Sequence, residues 1–397
     1  MKATEMIRRT SVLNERLDAI LELIELPPSY YKLAENRYKS LYDWFIRANS
    51  LIKGFSPYVY PQGSFRLGTA IRPLTDKEEY DLDLVCQLVI AKSSLSQMQL
   101  KELVGKEVKS YAEAYSFKTP ASEKKRCWRL DYADEVSFHQ DILPAILEDN
   151  DIIEFLVTQG VQPKLAQHAI AITDNRHPKY GVIDRLWPMS NPKGYALWFE
   201  ERMREIAMAR MKSLVEKRAY AKIDEVPVFE WKTPLQLCIQ LLKRHRDVMF
   251  QNSMDLKPIS MIITTLAAHA YGGQADIESA MNAILDGMLH FVENEFPRVG
   301  NPANDQEDFA ERWKEDSRLE ANFRAWHQQA RIDFSNIGQL TEKRASGIIK
   351  ERFEIDFTTN STSDKGASSA RSTPAIVIAT PKIQISSPAK PWGLRSQ

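Results

Sequence analysis

The stretch Pro61-PQGSFRLGTAIRPLTDKEEYDLDLVC-Cys86 decides the fold. A Gly-Ser pair opens it, and near its end Asp81 and Asp83 sit one leucine apart in an apolar run. Alternation and the Leu, Val and Ile content of Tyr80 to Ile90 predict a strand. Side chains alternate across a strand, so both aspartates share one face while Leu82 and Leu84 point to a core on the other. Two adjacent carboxylates repel, and leaving them unpaired would raise a pKa or cost on the order of a few kcal/mol. A hard divalent cation such as Mg²⁺, which takes oxygen ligands and also binds phosphates, answers that repulsion.

A site of this kind needs a further carboxylate from a neighbouring element. Arg126 to Tyr132 and Val136 to Leu143 read as two antiparallel strands joined by an Ala133-Asp134-Glu135 turn. Asp141 shares a face with Ser137 and His139 and is embedded among Phe138, Ile142 and Leu143, where a carboxylate is hard to explain otherwise. Asp131 and Asp134 compete, but Asp131 lies in the preceding strand and Asp134 reads as turn chemistry. His139 reads as a packed or hydrogen-bonded strand histidine and stays outside the metal set. Gly63-Ser64 supplies a phosphate end: glycine lets the backbone approach closely, a helix start presents free N–H groups, and the serine hydroxyl adds a donor. Thr69 and Arg72 lie where they would support the same surface.

The 397 residues suffice for two lobes, and 43% hydrophobic with 27% charged residues is ordinary for a globular chain. Lys+Arg and Asp+Glu are 53 each, and this balance argues against holding nucleic acid by bulk electrostatics. Cys86, Cys127 and Cys238 are far apart with no CxxC, against a zinc site or disulfide framework. No apolar run would span a bilayer, and the charged N-terminus lacks a signal-peptide core, so a cytoplasmic protein is expected.

Leu13, Leu17, Ile20, Leu21 and Ile24 predict one helix, and a second is expected from about Ser29 to Ile52. Helices follow at Ser96 to Ser116 and after "NPKGYALWFEERM", with Trp187, Tyr195, Trp198 and Phe199 as core. Thr233 and Pro234 cap and start the amphipathic "LQLCIQLLKRHRDVMF", and "KPISMIITTLAAHAY" predicts a buried helix. Further helices are expected at 276–296 and 306–331. From about Phe357 the Ser, Thr and Pro content predicts a disordered tail. The expected division is 1–205 as a catalytic lobe with its N-terminal helices, 206–356 as a helical lobe, and 357–397 as tail.

Gly-Ser, Asp-x-Asp and a distant aspartate together resemble the nucleotidyltransferase superfamily of polymerase β type. The ordered set "GSFRLGTAIRP", "YDLDLV", "HQDILPA", "SNPKGYALWF", "KTPLQLCIQLLKRHRD" and "KPISMIITTLAA", over roughly residues 30 to 300, resembles a bacterial CD-NTase. These are relatives of animal cyclic GMP-AMP synthase and oligoadenylate synthase in CBASS anti-phage defence. The resemblance implies an α+β fold, a bilobal polymerase β-like architecture with a mixed β-sheet catalytic lobe and a C-terminal helical lobe.

It further implies synthesis of a cyclic oligonucleotide from ATP, GTP or other NTPs, with a cyclic GMP-AMP type dinucleotide as the expected product. Asp81 and Asp83 would ligate two Mg²⁺ ions (Mn²⁺ as substitute), and Asp141 the ion that activates the attacking hydroxyl. Gly63 and Ser64 would hold phosphates, Lys243 and Ser260 would contact the triphosphate from the helical lobe, and Ser190 and Asn191 would read a base edge. A downstream effector would respond to the product, a regulatory protein stays open, and nucleic-acid activation is not expected, since the animal enzyme's zinc insertion is absent. Transfer of NMP to a protein or RNA, or a non-catalytic nucleotide sensor, are the rival readings.

Overall fold

The computed structural model describes residues 11–75, 79–132, 138–217 and 232–355. The expected turn at 133–135, Asp134 itself and the expected tail lie outside the described residues.

The chain opens with α1 (Val12–Ile24) and α2 (Pro28–Phe45), then β1 (Tyr58–Pro61), the short α3 (Gly63–Leu67) and β2 (Tyr80–Leu88). Next come α4 (Gln97–Ala114), β3 (Ser122–Glu123), β4 (Trp128–Tyr132), β5 (Phe138–Leu147), α5 (Asn150–Thr158), α6 (Pro163–Ala166), β6 (Ile170–Ile172) and β7 (Met189–Ser190). The rest is mostly helical: α7 (Pro192–Lys217), α8 (Pro234–Met249), α9 (Ser260–Ala270), α10 (Ile277–Gly287), the hairpin β8 (Gly300–Asn301) and β9 (Asn304–Asp308), α11 (Ser317–Gln339) and α12 (Glu342–Phe353). Caps set several starts. Ser11 accepts from the Asn14 N–H, and Ser96 with Gln99 and Thr233 with Gln236 form reciprocal capping boxes.

The sheet runs β1-β2-β5-β4-β3, with β6 on β5 and β7 on β6. β2 and β5 pair in parallel and the other neighbours antiparallel, which makes the sheet mixed. On one face Leu82, Leu84, Cys86 and Ile142 pack against Ala34, Leu41 and Phe45 of α2 and Leu100, Val104 and Val108 of α4. This apolar back holds the strands in register and leaves the opposite face for polar residues.

The second lobe has its own core, built on α7 to α11, and α1 joins it: Leu13, Leu17, Ile20 and Ile24 pack with residues of α8, α10 and α11. The N-terminal helix, expected with the catalytic lobe, therefore spends its apolar stripe on the helical one. Two other differences concern boundaries. The helix expected to reach Ile52 ends at Phe45, and the helix expected at 306–331 begins only at Ser317 because Gly300 to Asp308 forms a hairpin. The expected core aromatics Trp187, Tyr195, Trp198 and Phe199 are buried.

Candidate active site

Register across three strands builds the site. Asp83 of β2 pairs with Asp141 of β5, which pairs with Arg129 of β4. Two residues earlier Asp81 pairs with His139, which pairs with Asp131. Paired residues point to the same face, so these six side chains form two adjacent charged rows opposite the α2/α4 core. Arg129 grips Asp141 through two parallel bonds, Nε to Oδ1 at 2.6 Å and Nη2 to Oδ2 at 2.7 Å, which fixes the plane of the carboxylate. His139 bridges two carboxylates: Nδ1 lies 2.7 Å from Asp131 Oδ1 and Nε2 meets Glu79.

Gly63 sits against this floor. Its φ is +63°, and a Cβ added there would lie 2.4 Å from Asp83 Oδ2. Only glycine satisfies both the left-handed backbone and the close approach. The Gln62 N–H donates to the Asp83 carbonyl at 2.8 Å, tying the start of α3 to β2. Ser64 follows in the first turn of α3.

Asp83 is pushed up to about 7, by burial first and then by the charges of Asp81 and Asp141. Asp81 is raised as well, by desolvation, with Arg129 opposing. Burial and the two neighbouring carboxylates outweigh the opposing charges of Arg129 and Lys243 at Asp83. The three aspartates offer only hard oxygen donors, which fits a divalent metal ion. Glu79, Asp131 and His139, beside them, bring their ligand atoms within 4.8 Å of one another. Here His139 already bridges the carboxylates.

One face of α8 secures the segment after α3. Gln236 Nε2 donates to Leu67 O (2.9 Å), Gln240 Nε2 to Ala70 O (2.6 Å), Lys243 Nζ to Thr69 O (2.8 Å) and Arg244 Nη2 to Arg72 O (2.8 Å). These donors recur at one-turn and two-turn spacing along a helix, so they present as a single row. The helical lobe thereby sets the position of the Gly-Ser turn in the other lobe.

Residues 57–143 match a family described as cyclic GMP-AMP synthase DncV-like, nucleotidyltransferase domain. The chain is similar to a curated c-di-GMP synthase of Roseivirga ehrenbergii, 26% identical over 85% of this chain and 82% of the relative. It is also similar to the cyclic dinucleotide synthase CdnG of Bradyrhizobium diazoefficiens, 29% identical over 64% of this chain and 58% of the relative. Among solved structures, CdnG in complex with GTP superposes with a TM-score of 0.63 at 20% identity, covering 86% of this chain and 95% of that one. Vibrio cholerae DncV cyclic AMP-GMP synthase gives 0.58 at 16%, covering 87% and 95%. The chain thus carries a DncV-like nucleotidyltransferase domain at residues 57–143 and is similar over most of its length to bacterial cyclic dinucleotide synthases.

The chain departs from the expectations at three of the contacts carried over by resemblance. Lys243 was expected at the triphosphate, but its ammonium is buried against Thr69 O, with its pKa lowered to about 7 by burial and then by Arg246. Ser260 accepts from Arg246 Nη1 at 2.8 Å in the first turn of α9. Asn191 is fully buried and donates to Leu165 O and Ala303 O, while its Oδ1 accepts from the Gly194 N–H and caps α7. Lys243 and Asn191 position backbone and Ser260 holds the Arg246 guanidinium, roles visible only once separate segments meet. Ser190 instead lines a cavity of about 230 Å³ together with Gly63, Asp83, Met261, Glu307 and Phe309.

Glu307 escaped the sequence reading because residues 306–331 were expected to be one helix. The stretch "GNPAND", Gly300 to Asp305, was the available turn signal. A second recess, with Asp141 at its edge, gathers Lys124, Lys125, Arg126, Arg129 and Arg176. Among the described residues no helix is long and apolar enough to cross a membrane.

Proposed function

We propose that the chain is a bacterial CD-NTase that joins nucleoside triphosphates, with GTP among them, into a cyclic dinucleotide with release of pyrophosphate, and that the product serves anti-phage signalling. The observation that carries this is the alignment of Asp81, Asp83 and Asp141 on neighbouring strands beneath the Gly63 turn. Asp81, Asp83 and Asp141 would hold the divalent ions, Mg²⁺ being the natural choice for a phosphate substrate. When bound, such ions polarise the phosphoryl group and lower the pKa of an attacking hydroxyl.

The chain's own residues divide the remaining work. Gly63 and Ser64 would take the terminal phosphates close to the backbone. Arg129 holds Asp141 in a fixed plane, so the third carboxylate is oriented before substrate arrives. The basic recess of Arg126, Arg176 and Lys124 beside Asp141 would receive the phosphates of the acceptor nucleotide. Holding both nucleotides in line supplies most of what phosphoryl transfer asks of a protein.

The test is direct. Purified chain is incubated with all four NTPs and Mg²⁺ or Mn²⁺, treated with phosphatase and examined by mass spectrometry. A phosphatase-resistant cyclic dinucleotide containing guanine is expected, absent from an Asp81→Asn/Asp83→Asn variant. Label attached to protein or RNA instead would overturn the reading in favour of NMP transfer.

A further inference from the structure

We propose that Asp174 is a positioning residue that aims Arg126 and Arg176 together at a phosphate chain in the basic recess that Asp141 lines, an assignment that rests on the nucleotidyltransferase reading above. Asp174 follows β6 and is buried, while the two arginine side chains it holds are about half exposed. Its carboxylate takes four donors. Arg126 Nε reaches Oδ2 at 3.0 Å and Arg176 Nη2 reaches the same oxygen at 2.8 Å. Arg176 Nε at 3.1 Å and the Arg176 backbone N–H at 3.0 Å both reach Oδ1. Burial alone would raise the carboxyl pKa, but the bonds from Arg176 and Arg126 hold it below the ordinary carboxylate range, so the group stays ionised at neutral pH. Two guanidinium groups repel each other, and a shared anionic oxygen lets both stand side by side.

The surrounding backbone is fixed by other groups. The buried Lys101 ammonium donates to Lys124 O and Lys125 O, Thr173 Oγ1 to Arg126 O, the Asn175 N–H to Lys125 O, and the Asp174 N–H to Gln97 Oε1. The recess therefore keeps its shape without the Asp174 carboxylate, whose charge goes to the two guanidinium groups and the one N–H of Arg176. That grip takes Arg126 Nε and the Nε–Nη2 edge of Arg176. Among the described residues no acceptor takes either Nη of Arg126 or the Nη1 of Arg176, so N–H donors of both remain for a ligand.

The recess also holds carboxylates, those of Glu123, Asp141 and Glu311. Glu123 pairs with Lys101 at 3.1 Å and Asp141 with Arg129 at 2.6 Å, which leaves Lys124, Lys125, Arg126 and Arg176 against Glu311. A chain of phosphates suits that surplus, because it is polyanionic and its oxygens accept parallel N–H bonds from a planar guanidinium. Arginines that are already oriented bind it without the entropy loss of ordering two long side chains at the moment of contact.

Asp174→Asn separates orientation from charge, because the two act with opposite sign. Removing the carboxylate makes the recess more positive, so attraction alone would tighten the binding of an anion. Loss of orientation weakens it. The probe is sodium tripolyphosphate in EDTA, titrated by calorimetry into wild type and variant. Asp174→Asn should bind it about tenfold more weakly, the effect of two arginines that must be ordered on binding. The KM for nucleoside triphosphates with Mg²⁺ should rise by a similar factor, with most of the loss in KM rather than in kcat. Tripolyphosphate binding that is unchanged or tighter in the variant would overturn the assignment, whatever happens to the melting temperature, and so would its absence in wild type. Arg176→Lys is a second variant at a half-exposed side chain. It keeps the charge and gives up the planar fork that Asp174 grips, so it should also lose about tenfold in tripolyphosphate affinity; full affinity would overturn the assignment. If wild type makes cyclic product and Asp174→Asn keeps its tripolyphosphate affinity, only this assignment fails. If wild type makes no product while Asp174→Asn weakens tripolyphosphate binding, the nucleotidyltransferase reading fails and the recess stands as a phosphate site held by Asp174.

Discussion

Replacing Gly63 by alanine perturbs the backbone and the metal-binding floor together, and Gly68 separates the two effects. Both glycines adopt left-handed conformations, with φ of +63° and +68°, at opposite ends of α3. An L-residue in that region costs about 1–2 kcal/mol, so each alanine variant should lower the melting temperature by a few degrees. The added Cβ differs in what it meets. At position 63 it would lie 2.4 Å from Asp83 Oδ2 and 3.3 Å from its Cγ, forcing the carboxylate to turn away. At position 68 it meets the Nε2 of Gln236 at 2.5 Å, the far end of a flexible side chain. A displacement near an ångström of a group that organises the reaction costs about 100-fold in rate. Gly63→Ala should therefore lose about that much product formation and weaken Mn²⁺ binding measured by electron paramagnetic resonance. Gly68→Ala should share the thermal shift while keeping most of the Mn²⁺ affinity. Equal loss of Mn²⁺ affinity in the two variants, or full activity in Gly63→Ala, would refute the reasoning.

Asp83 carries a pH signature. Its folded pKa of about 7 lies above the ordinary carboxylate value, so the folded state holds more protons than the unfolded one between about pH 4 and pH 7. Metal-free stability contributed by this group falls as pH rises through that window. The difference in melting temperature between Asp83→Asn and wild type in EDTA should grow from pH 4 to pH 7, and Mg²⁺ should narrow it. A pH-independent difference would refute the placement. Lys243→Met should remove the donor to Thr69 O and raise the KM for nucleoside triphosphates by about tenfold, in line with the loss of one buried charged hydrogen bond, without altering which bases enter the product; steady-state kinetics decide it. Asn191→Ala should cost about 1–3 kcal/mol of stability through three lost buried bonds, one of them the cap of α7, with the product profile unchanged. A switch in the bases used would instead restore Asn191 as a base reader.

Much of the catalytic half was legible before folding. Strand alternation alone places Asp81 and Asp83 on one face, and an aspartate stranded among Phe138, Ile142 and Leu143 signals a third member. Thr233 and Pro234 marked the start of α8. These features are local, and local periodicity is written in consecutive residues. The register that sets Asp83 beside Asp141 and Arg129 is not local, because parallel strands are joined by a long connection whose length does not specify pairing.

The same holds for side chains whose partners lie far along the chain. Lys243 sits in a basic run that reads as either a solvated face or a phosphate contact, yet its ammonium ends on Thr69 O. Asn191 reads as a contact to a base edge and is spent on Leu165, Ala303 and Gly194. Glu307 reads as one more helical glutamate until the hairpin turns it into the cavity. Sequence by itself determined which residues could carry charge toward a metal and which faces had to be buried, because side-chain period follows from backbone geometry. Tertiary structure alone decided which polar groups stay available to substrate, because a buried donor or acceptor must find a partner and only the folded chain shows which distant carbonyl claims it.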